Sequence, residues 1–315
     1  MKKIIILALL FGLTAEAAYA GPLRNLLDGR PAEKQDSENS FADEPAGKTI
    51  LPRGGRILKD VSYGNESEQR MDVYFPAHAA QAPIIVMVHG GAWRFGDKGA
   101  VSVVQNKVAR WVARGFIFVS VNYRLLPKAT PLVQAEDVAM ALAAIQTKAS
   151  AWGGDSHKLI LMGHSAGAHL AALLAAAPEK AQPFGVHSWL GTVLLDSAAM
   201  DIVQIMKAKH YRFYDHAFGK EEALWQAASP LHVLSASAAP MLLVCSSVRT
   251  DKPCEQARAF AAKAGALNTR VEISEQAMSH KQINQTLGLP GSYTDTVENF
   301  MSSLDVSVQK MLADR

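Results

Sequence analysis

The sequence predicts an α/β protein: a mostly parallel sheet of about eight strands with helices on both faces. Three observations carry this. Short β-like runs alternate with helical ones from residue 57 onward. The run Ile84 to His89 is apolar almost throughout and ends in two glycines, as expected of a central strand buried on both faces. A strand, a glycine-flanked turn and an Ala-rich helix follow one another almost without a loop over residues 158–176. With 315 residues, 49% of them hydrophobic, the chain is long enough to bury one large core.

The chain opens with Lys2 and Lys3, an apolar run from Ile4 to Leu13 and the small-residue triplet Ala18-Tyr19-Ala20. That layout predicts a signal peptide over residues 1–20 and an exported protein, periplasmic or secreted. The run is shorter than the roughly 20 residues of a spanning helix, and no later stretch is long and apolar enough, so no membrane span is expected in the mature chain. Residues 21–52 are polar and without apolar period, which predicts a flexible leader ahead of one folded domain over 53–315.

Strands are expected at Arg56 to Tyr63, Arg70 to Phe75, Ile84 to His89, Phe116 to Val121, Lys158 to Met162, Thr192 to Leu195, Met241 to Cys245 and Arg270 to Ser274. Helices are expected near Ser102 to Arg114, Leu132 to Lys148 and Ala166 to Ala176. Residues of about 200–234 break the alternation with Tyr211, Phe213, Tyr214, Phe218 and Trp225. They form either a small lid insertion or an ordinary crossover helix with an exposed aromatic face.

Formal charge is +3 and scattered, with no basic stripe, so neither nucleic acid nor an anionic membrane is an expected partner. No His/Cys/Asp/Glu grouping has zinc-site spacing, and no G-x-G-x-x-G opens a helix after a strand. No metal and no cofactor are therefore expected.

Gly163-His164-Ser165-Ala166-Gly167 matches G-x-S-x-G between an apolar strand and a helix. Glycines on either side let the chain turn sharply, so that the Ser165 hydroxyl projects as a nucleophile above the helix N-terminus. The other reading of Ser165 is a plain helix N-cap. Upstream, His89-Gly90-Gly91-Ala92-Trp93 follows the central strand. Backbone amides that approach closely there can stabilise a developing oxyanion, and Gly90, Gly91 and Ala166 are the expected oxyanion hole. A Gly-rich turn without that role is the alternative. His89 is expected to hold the loop, and Trp93 to wall the substrate pocket, with Tyr211 and Phe213 as weaker wall candidates.

These words, with Asn122-Tyr123-Arg124-Leu125, Gly153-Gly154-Asp155 and Ala168-His169, resemble the α/β-hydrolase esterases of the carboxylesterase and feruloyl/acetyl-xylan esterase kind. Arylformamidases look similar in the same places. The resemblance spans about residues 57–310 and implies an α/β-hydrolase fold with a triad in the order Ser, acid, His, the acid after the seventh strand and the histidine after the eighth. The histidine position falls on His280. The acid position falls on Asp251, the carboxylate between the strand Met241 to Cys245 and Pro253. Here the family's glycine-containing turn is replaced by Ser246-Ser247-Val248-Arg249-Thr250, so Asp196, one strand earlier, stays open as the acid, with Asp201 and Glu255 remoter. His164 and His169 are expected to pack locally, and Asp137 and Asp155 to cap or form ion pairs.

Cys245 and Cys254 bracket Asp251, and export would permit a disulfide that restrains this loop; two buried free thiols are the alternative. The resemblance implies hydrolysis of a small-molecule carboxylic ester, such as a short-chain acyl, aryl or acetyl/feruloyl-sugar ester, through an acyl-enzyme on Ser165. An arylformamidase-type amide hydrolase and a catalytically dead binding module are the other readings. Parallel assay of N-formylkynurenine and aryl esters, and labelling by a fluorophosphonate, would separate the three.

Overall fold

A computed structural model describes residues 47–313. The signal peptide expected over 1–20 and the leader up to residue 46 lie outside the described residues. Residues 47–52, the end of the expected leader, are held against the domain. Gly47 donates its amide to the Gly99 carbonyl, and Ile50 exchanges hydrogen bonds with the Gln105 side chain.

Eight strands form one sheet in the order β1-β2-β4-β3-β5-β6-β7-β8. They are β1 (Arg56–Ser62), β2 (Arg70–Phe75), β3 (Ala82–Val88), β4 (Ile117–Val121), β5 (Gly154–His164), β6 (Gly191–Leu195), β7 (Met241–Ser246) and β8 (Val271–Gln276). The pairs β1-β2 and β2-β4 are antiparallel, and every pair from β4 to β8 is parallel. All residues of β3, β4, β6 and β7 are buried, while the edge strands β1 and β8 are largely open. That difference is the reason the inner strands read as unbroken apolar runs. β5 begins earlier than its apolar run, because Gly154 already pairs with Ala82 while the residues after it are polar.

Helices cover both faces. On one face lie α1 (Val101–Lys107), which passes into a π-helical turn over Val108–Val112, and the C-terminal helices, with a core that includes Trp111, Phe118 and Phe300. On the other lie α2 (Pro131–Lys148) and α3 (Ala166–Ala176), packed on Val86, Leu161 and Leu243. Every residue of α3 is buried, which explains its Ala-rich composition: small side chains let its backbone approach the sheet closely.

Between β6 and β7 the chain forms four short helices, α4 (Ile202–Lys207), α5 (Arg212–Phe218), α6 (Glu222–Ala227) and α7 (Pro230–Val233). Their aromatic residues turn inward: Phe218 is fully buried, and Tyr214 nearly so. After β7 come α8 (Pro253–Ala266) and, beyond β8, α9 (His280–Thr286), α10 (Ser292–Ser302) and α11 (Val306–Ala313). The loops leaving the C-terminal ends of β3, β5, β6, β7 and β8 thus carry His89 to Trp93, Ser165, Asp196, Arg249 with Asp251, and His280. Sites in open parallel sheets form at this end of the strands.

Candidate active site

Ser165 sits between β5 and α3 at φ 55° and ψ −119°, a conformation that L-residues rarely adopt. Its amide donates to the Leu195 carbonyl, and its own carbonyl accepts from His169 one turn on, so the strain is held from both sides. The flanking glycines are needed for contact rather than for positive φ. A Cβ on Gly163 would come within 2.4 Å of the Gly167 carbonyl oxygen, and one on Gly167 within 2.3 Å of the Val88 and His89 oxygens. The helix start is thereby pressed against the end of β3.

The loop after β3 turns at Gly91 (φ 121°), whose carbonyl accepts from both Arg94 and Phe95, and Ala92 and Trp93 follow with positive φ. His89 is buried and stacks on Tyr123 at 4.5 Å, and the Tyr123 hydroxyl donates to the His89 carbonyl, so His89 braces the loop. A shallow cleft, open to solvent, is lined by residues that include Ala92, Trp93, Ser165, Ala166, Phe213, Tyr214 and His280. Gly90 and Gly91, expected in the oxyanion hole, are not in its wall. Gly90 packs against the serine, where an added Cβ would stand 2.9 Å from the Ser165 Cβ, and Ala92 is the loop residue beside Trp93 that lines the cavity. Ala166 lines the cavity as expected; as the first residue of α3 its amide has no carbonyl one turn back to bond.

Trp93 walls the cavity and is itself buried. Its Nε1 donates to His169 Nδ1 at 3.2 Å, and its ring packs on Phe218 at 4.9 Å and Tyr214 at 5.8 Å. His169 Nε2 lies 2.7 Å from the Ala228 carbonyl. With a proton on Nε2, the ring bridges the β3 loop to the α6–α7 segment. Burial drives the His169 imidazole down to about 4, only partly offset by the Ala228 carbonyl. Phe213 reaches the cavity, and Tyr211 stacks on Phe213 instead of lining it.

His280 opens α9, which Ser279 caps through a reciprocal pairing with Gln282. Its ring lies 4.5 Å from that of His164, whose Nε2 is 3.1 Å from the His280 carbonyl. Burial, and then the neighbouring His280, push the His164 imidazole well below its ordinary range, so it stays neutral.

The acid beside His280 is a correction to the sequence expectation. His280 Nδ1 lies 2.6 Å from Oδ2 of Asp196, not of Asp251. The Asp196 side chain is fully buried at φ 55°, and its Oδ1 accepts the Ser246 amide at 2.7 Å. Burial alone would raise the Asp196 carboxyl, but the His280 hydrogen bond and the Arg249 charge outweigh it and hold it well below the usual carboxylate range. Asp251 instead forms a two-point ion pair with Arg249, through Nε at 2.9 Å and through Nη2. The physical reason is reach: Arg249 occupies the space between Asp251 and Asp196 and contacts both. Asp201 caps α4 through the Gln204 amide, and Glu255 pairs with Lys252. Asp137 is buried in a cluster with Gln69 and Arg124, and Asp155 pairs with Lys158, as expected.

Cys245 and Cys254 form a disulfide, with Cα atoms 5.2 Å apart, that closes the loop carrying Arg249 and Asp251. Among the described residues no group of His, Cys, Asp and Glu could hold a metal ion, and no helix is long and apolar enough to cross a membrane. Arg249 is the site residue the sequence reading missed. Its signal was present: a lone arginine standing where the family has a glycine turn, two residues from the expected acid.

The strand order and the strand-end placement of a serine, a carboxylate and a histidine are those of the α/β-hydrolases. Within that class the chain belongs to the BD-FAE family, whose model matches residues 71–264. It is 29% identical over 247 residues to the esterase LipQ of Mycobacterium tuberculosis, covering 71% of this chain and 58% of LipQ. It is 33% identical over 125 residues to the kynurenine formamidase of Danio rerio, covering 38% of this chain and 39% of that protein. The matches span from about a quarter to three fifths of the length of the curated relatives. Esterase B from Lactobacillus rhamnosis (HN001) has the same fold, with a TM-score of 0.66 over 91% of this chain and 95% of that one at 19% identity.

Proposed function

We propose that the protein is a serine esterase in which Ser165 attacks the ester carbonyl, His280 moves the proton and Asp196 fixes the imidazole. The observation that carries this is the 2.6 Å contact of Asp196 Oδ2 with His280 Nδ1, made by a histidine that lines the same cavity as Ser165. A proton held on Nδ1 by the carboxylate leaves Nε2 as the basic nitrogen, and the carboxylate then favours the imidazolium that forms. Ser165 adds to the carbonyl carbon, and its proton passes to His280. The tetrahedral oxyanion is stabilised by the amides of Ala92 and Ala166. Collapse expels the alcohol, which takes the proton from His280, and water repeats the sequence on the acyl-enzyme.

The small Ala198 and Ala199 and the aromatic Trp93, Phe213 and Tyr214 in the cavity lining suit a short acyl or aryl group. The signal-peptide layout and the disulfide support an exported enzyme, periplasmic or secreted. Ser165→Ala should abolish hydrolysis of p-nitrophenyl acetate and labelling by a fluorophosphonate in a protein that remains folded. Turnover retained by this variant would end the assignment. The formamidase relative favours a second reading, the same chemistry on an N-formyl aromatic amide; a higher kcat/KM for N-formylkynurenine than for aryl acetates would select it.

A further inference from the structure

Arg249 stands out among the partly buried ionisable groups, because it touches Asp196, Asp251 and the histidine at once. Its Nη1 lies 2.7 Å from Asp196 Oδ2, 3.2 Å from the Asp196 carbonyl oxygen and 2.9 Å from His280 Nδ1. Its Nε and Nη2 grip the two oxygens of Asp251. Since Nδ1 and Nη1 both approach Asp196 Oδ2, the two are donors sharing one acceptor, and the guanidinium abuts the edge of the imidazole. The disulfide Cys245–Cys254 closes the loop that presents it.

We propose that Arg249 is a positioning residue of the esterase reaction, tying the Asp196 carboxylate to Asp251 and setting the charge beside His280. This rests on the reading of Ser165, His280 and Asp196 as the reacting groups. The carboxylate that a β7-loop acid would have supplied comes from β6, and Asp251 serves as the anchor of the arginine that orients it. A planar fork is suited to this bridge, because it meets two carboxylates at fixed angles, which a single ammonium does not.

The test compares Arg249→Gln, Arg249→Lys, Asp251→Asn and Asp196→Asn by kcat and KM on p-nitrophenyl acetate, with folding checked by circular dichroism. Arg249→Gln should lower kcat about 10-fold or more while KM changes little, because the guanidinium holds Asp196 and not the substrate. Arg249→Lys should recover only part of the lost kcat, since the charge remains and the fork is lost. Asp251→Asn should cost only about 3- to 10-fold in kcat, as an anchor rather than a partner of the histidine. An Arg249→Gln enzyme with the wild-type kcat, or one changed in KM alone, would overturn the role given to Arg249. If that variant does not fold, an Arg249→Lys enzyme with unchanged kcat would do the same. Near-wild-type activity of Asp196→Asn would instead remove the triad reading, an outcome that none of the Arg249 results can mimic.

Discussion

Asp196 Oδ2 meets His280 Nδ1 at 2.6 Å, across the ends of two strands separated in the sheet by β7. Asp251, on the intervening β7 loop, reaches the pair only through Arg249. Asp196→Asn keeps the shape but removes the charge and the acceptor that fixes the tautomer, so kcat should fall by about 10³- to 10⁴-fold. Asp251→Asn should not approach that loss. Steady-state kinetics of the two variants side by side decides between them; a larger loss at Asp251 would reverse the assignment.

His169 links the β3 loop to the α6–α7 segment while buried and neutral, with its imidazole at about 4. In the unfolded chain a histidine titrates near 6.5, so between about 6.5 and 4 the unfolded state binds more protons than the folded one. Stability is therefore full above about 6.5 and declines as pH falls toward 4, by on the order of 3 kcal/mol from this residue. Urea denaturation across that range should show a shallower decline in His169→Gln than in the wild type. Equal slopes in the two proteins would refute the linkage.

The disulfide spans a sequence separation of 9, a short loop for which chain-entropy estimates give about 2 to 3 kcal/mol. Reduction, or Cys254→Ser, should lower the denaturation midpoint accordingly and reduce kcat more than it raises KM, because the loop presents Arg249, which touches Asp196 and His280. A change in KM alone would argue against that role.

Gly167 and Gly265 make a matched pair. A methyl on Gly167 would meet the Val88 and His89 carbonyl oxygens, which are backbone and cannot turn aside, whereas one on Gly265 in α8 meets nothing within 4 Å. Gly167→Ala should destabilise by about 1 to 3 kcal/mol or more and displace Ser165, with roughly 100-fold lower activity. Gly265→Ala should stabilise by about 0.5 to 1 kcal/mol and leave kinetics unchanged. Thermal melts and kcat/KM of both variants check the contrast.

The inner strands were legible because β3, β4, β6 and β7 are buried on both faces and so must be apolar at every position. The elbow at Ser165 was legible because a sharp strand-to-helix turn leaves room for few residue types. The early start of β5 was not, since polar residues pair there without a buried face to mark them. The inward turn of Tyr214 and Phe218 onto Trp93 was also hidden, because aromatic residues at helical spacing look alike whether they face a core or a cavity.

Local patterning was enough to place the sheet and the sharp turn at Ser165, because each is set by neighbours in the chain and by the side-chain period of its element, whereas His280 was singled out by the family resemblance. The choice between two carboxylates one strand apart was not written locally. Both Asp196 and Asp251 follow apolar strands, and the difference lies in the Arg249 side chain, which fills the gap on one side, and in the chain that folds back across a sequence separation of 84 to bring His280 to the other. Contacts of that range exist only once the strands have packed, so the partner of the histidine is a property of the assembled sheet.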